Sequence, residues 1–321
     1  MKYLLIDTAN MFFRARHVVA KSVDTDTKLG LAIHVTLASV AKVWREFDTD
    51  HVIFCLEGRS WRKSFYEPYK KNRAVARQAL TEREQEEDKL FWEVYEDFTT
   101  FLRNKTNCTV IQNPVLEADD LIAGFIQGHP NDEHFIISSD SDFYQLLGTN
   151  VKQYNGISDQ LITIEGIFDK KGNMVIDKKT KEPKEIPNPE WLLFEKCMRG
   201  DPSDNVFTAY PRVRKTVLKE AFEDRHNKGY VWNNMMLQRW VDHNEEEHRV
   251  KDDYERNRTL VDLTAQPEEI RGVIDETIGE IESKKNSSVG VHFLKFCGKH
   301  NLQKLGDESQ KFGDLLNASY P

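Results

Sequence analysis

Short apolar runs alternate with longer amphipathic stretches through the first half of the chain. The runs at 3–6, 51–56, 109–112, 134–138 and 151–154 have the length of strands. Between them, 29–47 sets Leu31, Val35, Ala38 and Lys42 on part of a 3.6-residue period and predicts a helix. A longer helix is predicted over 82–104, acidic at its start as a helix N-terminus favours, and 121–127 opens a third. Strands alternating with helices predict an α/β fold with a mainly parallel central sheet flanked by helices. Ligands of such a sheet lie beyond the carboxyl ends of its strands. Residues 168–187, lysine-rich, bounded by proline and containing Lys171-Gly172-Asn173, read as an extended hairpin or surface insertion. After Pro189 the pattern turns helical, at 191–199 and 212–222, with polar segments to the end. Glu245-Glu246-Glu247 and the charges beside it read as solvated surface. The expected division is an α/β domain at 1–187 and a helical domain at 188–321.

Composition narrows the class. The 321 residues suffice for one large domain or two ordinary ones, and 39% hydrophobic with 31% charged residues fits a soluble globular chain. No run reaches the about 18 apolar residues of a membrane span. Asp7 arrives too early for the apolar region of a signal peptide. Cys55, Cys108, Cys197 and Cys297 lie far apart without a C-x-x-C pair, and read as reduced, buried thiols of a cytoplasmic protein. The net charge of −8 opposes a polyanionic partner, but the charge is segregated. Arg59, Arg62, Lys63, Lys70, Lys71, Arg73 and Arg77 face a single acid, Glu67, and Trp61, Phe65, Tyr66 and Tyr69 are interleaved among them. Such a segment is either a solvated helix face or a contact for nucleic acid.

The acids carry the candidate chemistry. Asp7 and Asp140 directly follow apolar runs, and Glu57 follows a third. Further carboxylates stand in Glu117-Ala118-Asp119-Asp120, Asp140-Ser141-Asp142 and Asp201-Pro202-Ser203-Asp204. Asp120 also fits a helix cap, and Asp204-Asn205 an ordinary turn. Acids converging on one sheet edge repel one another unless hard cations neutralise them. Together they supply oxygen ligands for two Mg²⁺ or Mn²⁺ ions about 4 Å apart, the spacing that activates water and stabilises the leaving oxygen of a displacement at phosphorus. The motifs contain neither histidine nor cysteine, which favours these ions over zinc.

Five motifs then occur in a telling order: Ile6-Asp7-Thr8-Ala9-Asn10, Tyr69-Lys70-Lys71-Asn72-Arg73, Glu117-Ala118-Asp119-Asp120, Ser138-Ser139-Asp140-Ser141-Asp142 and Gly200-Asp201-Pro202-Ser203-Asp204-Asn205. This order resembles the 5′-nuclease family, which includes flap endonucleases and the 5′-to-3′ exonuclease domain of bacterial DNA polymerase I. The run Trp61-Arg62-Lys63-Ser64-Phe65 leading into Tyr69 is similar to the RNase H of T-even bacteriophages. The resemblance spans residues 1–265.

The resemblance implies a helical arch over about residues 59–90 and a helix-three-turn-helix-type DNA-binding element at 191–222. It implies that Asp7, Glu57, Glu117, Asp119 and Asp140 surround a first Mg²⁺, with Asp120 beside them, and that Asp142, Asp201 and Asp204 hold a second; Mn²⁺ can substitute. Lys70 and Arg73 would act with Asp7 and Asp140 in catalysis by clamping the phosphate. Phe13 and Arg14 would meet the unpaired nucleotide, Tyr69 would either stack there or pack within the arch, and Arg212, Arg214 and Lys215 would contact the duplex backbone. Two departures stand out. Tyr210-Pro211-Arg212 replaces the Gly-x-Gly hairpin that holds a monovalent ion in most members, and Glu57 stands where aspartate is usual.

The implied function is a Mg²⁺-dependent, structure-selective 5′-3′ exonuclease and flap endonuclease. It would act on branched or 5′-ended DNA and on RNA–DNA hybrid, removing RNA primers in phage replication within the host cytoplasm. A monomer is expected, with a single-strand DNA-binding protein or a sliding clamp as candidate partner and no membrane association. A phosphatase of the haloacid-dehalogenase type needs an acid two residues after its nucleophile, but Thr8-Ala9 follows Asp7. A smaller RNA-cleaving nuclease would lack the arch motif and the 200–205 turn. A non-catalytic DNA-junction binder would be expected to have lost acids.

Overall fold

The computed structural model describes residues 1–18, 25–185 and 188–321. They form two compact units. The first comprises Met1–Arg59, Leu80–Ile186 and Gly272–Pro321, the second Ser60–Ala79 and Pro187–Arg271.

The first unit is built on a seven-stranded sheet. Its parallel strands are β1 (Lys2–Asp7), β2 (His51–Cys55), β3 (Thr109–Ile111), β4 (Glu133–Ile137) and β5 (Val151–Asn155). All five expected strands are present, displaced by a residue or two at their ends. The antiparallel strands β6 (Gln160–Ile162) and β7 (Ile167–Asp169) complete one edge. Leu4, Leu5 and Ile6 of β1 are fully buried, as a strand covered on both faces requires. The order β3-β2-β1-β4-β5-β6-β7 means the chain winds outward from β1, returns, and winds the other way from β4. The carboxyl ends of β1 and β4 therefore flank a topological switch point, where α/β sheets bind ligands.

Helices α1 (Thr8–Val18) and α2 (Thr25–Glu46) follow β1. The second unit contains α3 (Arg62–Phe65) and α4 (Lys71–Gln78), and the chain then returns to the first with α5 (Glu82–Lys105). Thr81 and Glu84 close a capping box at the start of α5, which fixes its N-terminus where the acids predicted it. Helix α6 (Ala118–Gly128) connects β3 to β4. Residues 168–185, expected as a hairpin or insertion, fold back antiparallel: Phe168 bridges Met174 and Ile176 bridges Pro183, with the Asp169 amide donating to the Asn173 carbonyl at 2.8 Å and the Asp177 amide to the Glu182 carbonyl at 2.9 Å; residues 186–187 of that expectation lie outside the described residues.

The second unit continues with α7 (Pro189–Arg199), α8 (Lys215–Asp224), α9 (Tyr230–Leu237), the hairpin β8 (Arg239–Val241) and β9 (Glu247–Arg249), and α10 (Val250–Val261). Its core gathers Phe194, Met198, Val213, Leu218, Ala221, Met235, Met236 and Val250. The segment 60–79 belongs here through a buried arginine: Arg62 is 2% exposed, and its Nε donates to the Leu260 carbonyl at 2.7 Å. Arg62 thus leaves the candidate nucleic-acid surface; its head satisfies a buried carbonyl instead.

Beyond α11 (Glu268–Gly279), the chain ends in α12 (Val289–Lys299), α13 (Gln303–Asp307) and α14 (Gln310–Asn317). These close over the first unit. Phe296 stacks on Phe101 of α5 at 4.3 Å, and the Leu315 carbonyl accepts from the Cys108 thiol at 3.4 Å. Ile274 of α11 lies so near Gly124 of α6 that a Cβ there would stand 2.1 Å from its Cγ2. The expected division between 187 and 188 therefore does not describe the units. Residues 272–321 carry the apolar positions that cover α5 and α6, and 60–79 pack with the helical unit.

Candidate functional site

The first unit brings its acids to the carboxyl edge of the sheet. Asp7 ends β1, 4% exposed, and its Oδ2 accepts from the Ser138 hydroxyl at 2.9 Å just past β4. That hydroxyl oxygen accepts in turn from the Asp140 amide at 3.0 Å, and Asp140 Oδ1 accepts the Asp142 amide at 3.0 Å. Buried Gln153 of β5 donates to the carbonyls of Ser138 and Asp140 at 2.9 and 2.7 Å, fixing the backbone that presents both acids. The 3₁₀ turn Ser141–Leu146 starts here with Asp140 as its cap, so Asp142 points from a different position than Asp140.

Glu57, past the end of β2, is delivered by a close backbone approach. Gly58 donates to the Leu116 carbonyl at 2.8 Å, and a Cβ on Gly58 would come within 2.0 Å of the Asn113 carbonyl oxygen. The Glu57 carboxylate accepts the Ala118 amide at 3.2 Å, at the N-terminus of α6, where helix charge favours an anion. Glu117 caps α6 and Asp119 lies in its first turn. Asp120 is fully buried, and its Oδ2 accepts the Glu117 amide at 3.2 Å. Its carboxylate serves the cap, which takes it out of the expected ligand set. Three of the acids act on one buried group: burial, then Asp7, Asp119 and Glu57, push the Cys55 thiol well above its ordinary value. An all-oxygen, anionic donor set around a switch point fits a hard divalent cation such as Mg²⁺ or Mn²⁺.

Phe13 and Arg14 are half-buried on α1. Phe13 packs its ring 4.5 Å from that of Trp92 on α5, which is 40% exposed. Trp92 is a candidate stacking surface that the sequence hides, because it falls within a regular amphipathic helix rather than a motif.

In the second unit, the 200–205 turn is fixed by Gly200 at φ +77°, whose Cβ position would meet the Val206 carbonyl at 2.3 Å. Asp201 accepts from Ser203 at 2.8 and 2.7 Å and pairs with Lys196 at 2.7 Å. Burial pushes the Asp201 carboxyl up, but the Lys196 charge and these hydrogen bonds outweigh it and hold the group below the ordinary carboxylate range. Asp204 gathers the basic motif. It accepts from the Tyr69 hydroxyl at 3.0 Å, lies 3.6 Å from Lys70 Nζ and pairs with Arg73, while its carbonyl accepts the Lys70 amide at 2.8 Å. Tyr69 is 5% exposed against Cys197, Val206, Leu260 and Val261, so it is a packing residue and not a stacking platform. Helix α4 starts beyond Lys70 and buries none of its residues. Arg212, Arg214 and Lys215 are exposed around the start of α8, which has no acid in its first turn. Arg212 holds φ +58°, so the turn keeps a left-handed residue although no glycine stands there.

Comparisons with known proteins bear on the family and the fold. Residues 2–175 match the family described as 5′-3′ exonuclease, N-terminal resolvase-like domain. DNA polymerase I of Rhizobium leguminosarum is 28% identical over 216 residues, 63% of this chain and 18% of that protein. The flap endonuclease Xni of Shewanella loihica is 27% identical over 168 residues, 51% of this chain and 59% of its own length. The chain thus spans less than two thirds of either relative. Among solved structures, the bacteriophage T5 flap endonuclease in complex with DNA and metal ions aligns at a TM-score of 0.60 and 18% identity, covering 87% of this chain and 98% of the other. The T5 5′-exonuclease with bound zinc gives the same TM-score of 0.60 at 18% identity, over 87% and 99%. At that identity the likeness establishes the fold: a mainly parallel sheet flanked by helices. With its matching segment covering more than half its length, the chain belongs to the 5′-3′ exonuclease N-terminal domain family.

Proposed function

We propose that this protein is a divalent-metal-dependent 5′ nuclease that cleaves phosphodiester bonds at 5′ ends and flaps of DNA, and of RNA–DNA hybrid, as in removal of RNA primers during phage replication. The observation that carries the reading is the acid edge of the first unit, where Asp140 is tied to Asp7 through Ser138, Asp142 to Asp140 through its amide, and Glu57 is anchored on the Ala118 amide at the start of α6. Asp7, Glu57, Glu117, Asp119 and Asp140 would hold one Mg²⁺, and Asp142, on the same edge of the first unit, would serve a second. Bound there, such ions supply an activated water and neutralise charge on phosphate. Gln153 and Ser138 keep the acids in register, which is pre-organisation the sheet provides before substrate arrives. Lys70 and Arg73, positioned by Asp204, would orient the phosphate, the guanidinium by paired contacts and the ammonium as a point charge. Names of relatives point the same way: flap endonucleases among them, and a T5 neighbour that holds DNA and metal ions together.

One assay series tests the proposal: a 5′ flap, a nicked duplex and an RNA–DNA hybrid, each with Mg²⁺, Mn²⁺ or EDTA. Cleavage is expected with either metal and none with EDTA. Asp140→Asn should lower the single-turnover rate by at least about 100-fold while duplex affinity stays within a few-fold, since electrostatic contacts at the reacting group carry about that much rate. Cleavage that persists in EDTA would overturn the metal role. Tight junction binding without cleavage in any condition would favour the non-catalytic reading.

A further inference from the structure

The hairpin of the second unit turns a run of surface charge into a constructed donor set. Trp240 pairs with His248 and Val241 with Glu247 across β8 and β9, and the reversal is held by Asp242. Asp242 Oδ1 accepts the amides of Asn244 and Glu246, each at 2.9 Å, and Oδ2 accepts from the Asn244 side-chain amide at 3.2 Å, so the carboxylate is fixed at the head of the turn with a lone pair of Oδ2 still open to a cation. One donor atom from each of Asp242, Glu246 and His248 then lies within 4.8 Å of the others.

The imidazole is aimed at this point. His248 stacks on Trp240 with centroids 4.3 Å apart and planes 14° from parallel, and the Trp240 indole is itself anchored on the Ala209 carbonyl at 3.0 Å. On the far side, His248 Nδ1 stands 3.2 Å from Oδ2 of Asp253, a helix α10 side chain only 8% exposed whose other oxygen pairs with Arg256. That leaves His248 Nε2 buried with no hydrogen-bond partner, facing Asp242 Oδ2 at 3.9 Å. Buried polar nitrogens are seldom left so. A simple ion pair does not account for it, because 3.9 Å is too long for a hydrogen bond. Two metal–ligand bonds of about 2.0–2.2 Å do span such a gap. A carboxylate behind one imidazole nitrogen and a metal in front of the other is also the usual way proteins fix a histidine ligand.

We propose that Asp242, Glu246 and His248 bind a divalent cation of the zinc class, with Asp253 positioning the imidazole. The mixed nitrogen and oxygen donor set selects such an ion over Mg²⁺, which takes oxygen alone. Exposed His243, whose Nδ1 lies 3.9 Å from Asp242 Oδ2, is placed to complete the shell. The ion would fasten the hairpin and, through Asp253, the start of α10. It shares no residue with the acid edge of the first unit and stands or falls independently of the proposed nuclease activity.

The test uses the full chain, stripped with chelator and returned to saturating Mg²⁺ so that oxygen-only sites are filled. Zn²⁺ titration by calorimetry should then show one tight equivalent, with imidazole nitrogen in its X-ray absorption spectrum. Glu246→Gln and His248→Ala should each weaken zinc at least about tenfold, and Asp253→Asn by about tenfold or more, the usual loss when a histidine ligand's partner is removed. Asp140→Asn should leave it unchanged. Glu246 is exposed, so its variant remains informative if His248→Ala fails to fold. No equivalent above the Mg²⁺ background, equal affinity in Glu246→Gln, or loss in Asp140→Asn would each overturn the assignment.

Discussion

Asp120 and Asp140 are both aspartates in acidic motifs, yet their surroundings give them different work. Asp120 is fully buried with its Oδ2 on the Glu117 amide, whereas Asp140 lies three residues past the end of β4 and reaches Asp7 through Ser138. Asp120→Ala should therefore cost about 1–3 kcal/mol of stability, the penalty for an unsatisfied buried amide, and leave the cleavage rate of folded protein nearly intact. Denaturant titration beside single-turnover kinetics checks this; lost cleavage at unchanged stability would return Asp120 to the metal set. The sequence located the acids near strand ends, because an acid after an apolar run is conspicuous. It did not reveal that Arg62 and Tyr69 are buried, since burial depends on what packs against a residue from distant parts of the chain. Nor did it reveal His248, whose importance lies in the orientation of its two nitrogens.

Among elements, the strands and long helices were legible from periodicity, and the short ones were not. Strands β8 and β9 have three residues each and no continuous apolar face, so Glu247-His248-Arg249 looked like any charged surface. Helix α8 begins at Lys215, later than the pattern suggested, because Val213 turns inward and Arg214 is extended. Its exposed start presents Arg214 and Lys215 without competing acids. Replacing both with alanine should weaken duplex binding about equally across sequences and reduce the log–log salt slope by up to about two, one for each phosphate that the variant leaves to its counterions. Fluorescence anisotropy over a range of salt measures it, and an unchanged slope would remove α8 from the DNA footprint. Arg212 shows the limit of motif reading: the glycine pattern is absent, yet the left-handed turn persists at a cost of about 1 kcal/mol.

For the molecule as a whole, the first unit carries an acid-sensitive core. Burial lowers the pKa of His34, His51 and His134 below the ordinary histidine value. The unfolded chain then binds more protons than the folded one as pH falls through about 6.5, so stability decreases on the acid side and is fully present above it. The thermal midpoint should drop between about pH 7 and pH 5.5 in scanning calorimetry, and a flat profile would show that these histidines protonate without cost. Among the described residues no helix is long and apolar enough to cross a membrane.

By itself the sequence determined the alternation that makes a parallel sheet, the acids at its carboxyl edge and the family they resemble, because these are local patterns of a few residues. Tertiary structure decided which segments share a core, sending 272–321 to the sheet and 60–79 to the helical unit. It also decided which like residues do unlike work: Asp120 in a cap, Arg62 under Leu260, His248 with one nitrogen toward Asp253 and the other toward Asp242. Those outcomes depend on contacts between residues far apart in the chain, and on the desolvation those contacts impose.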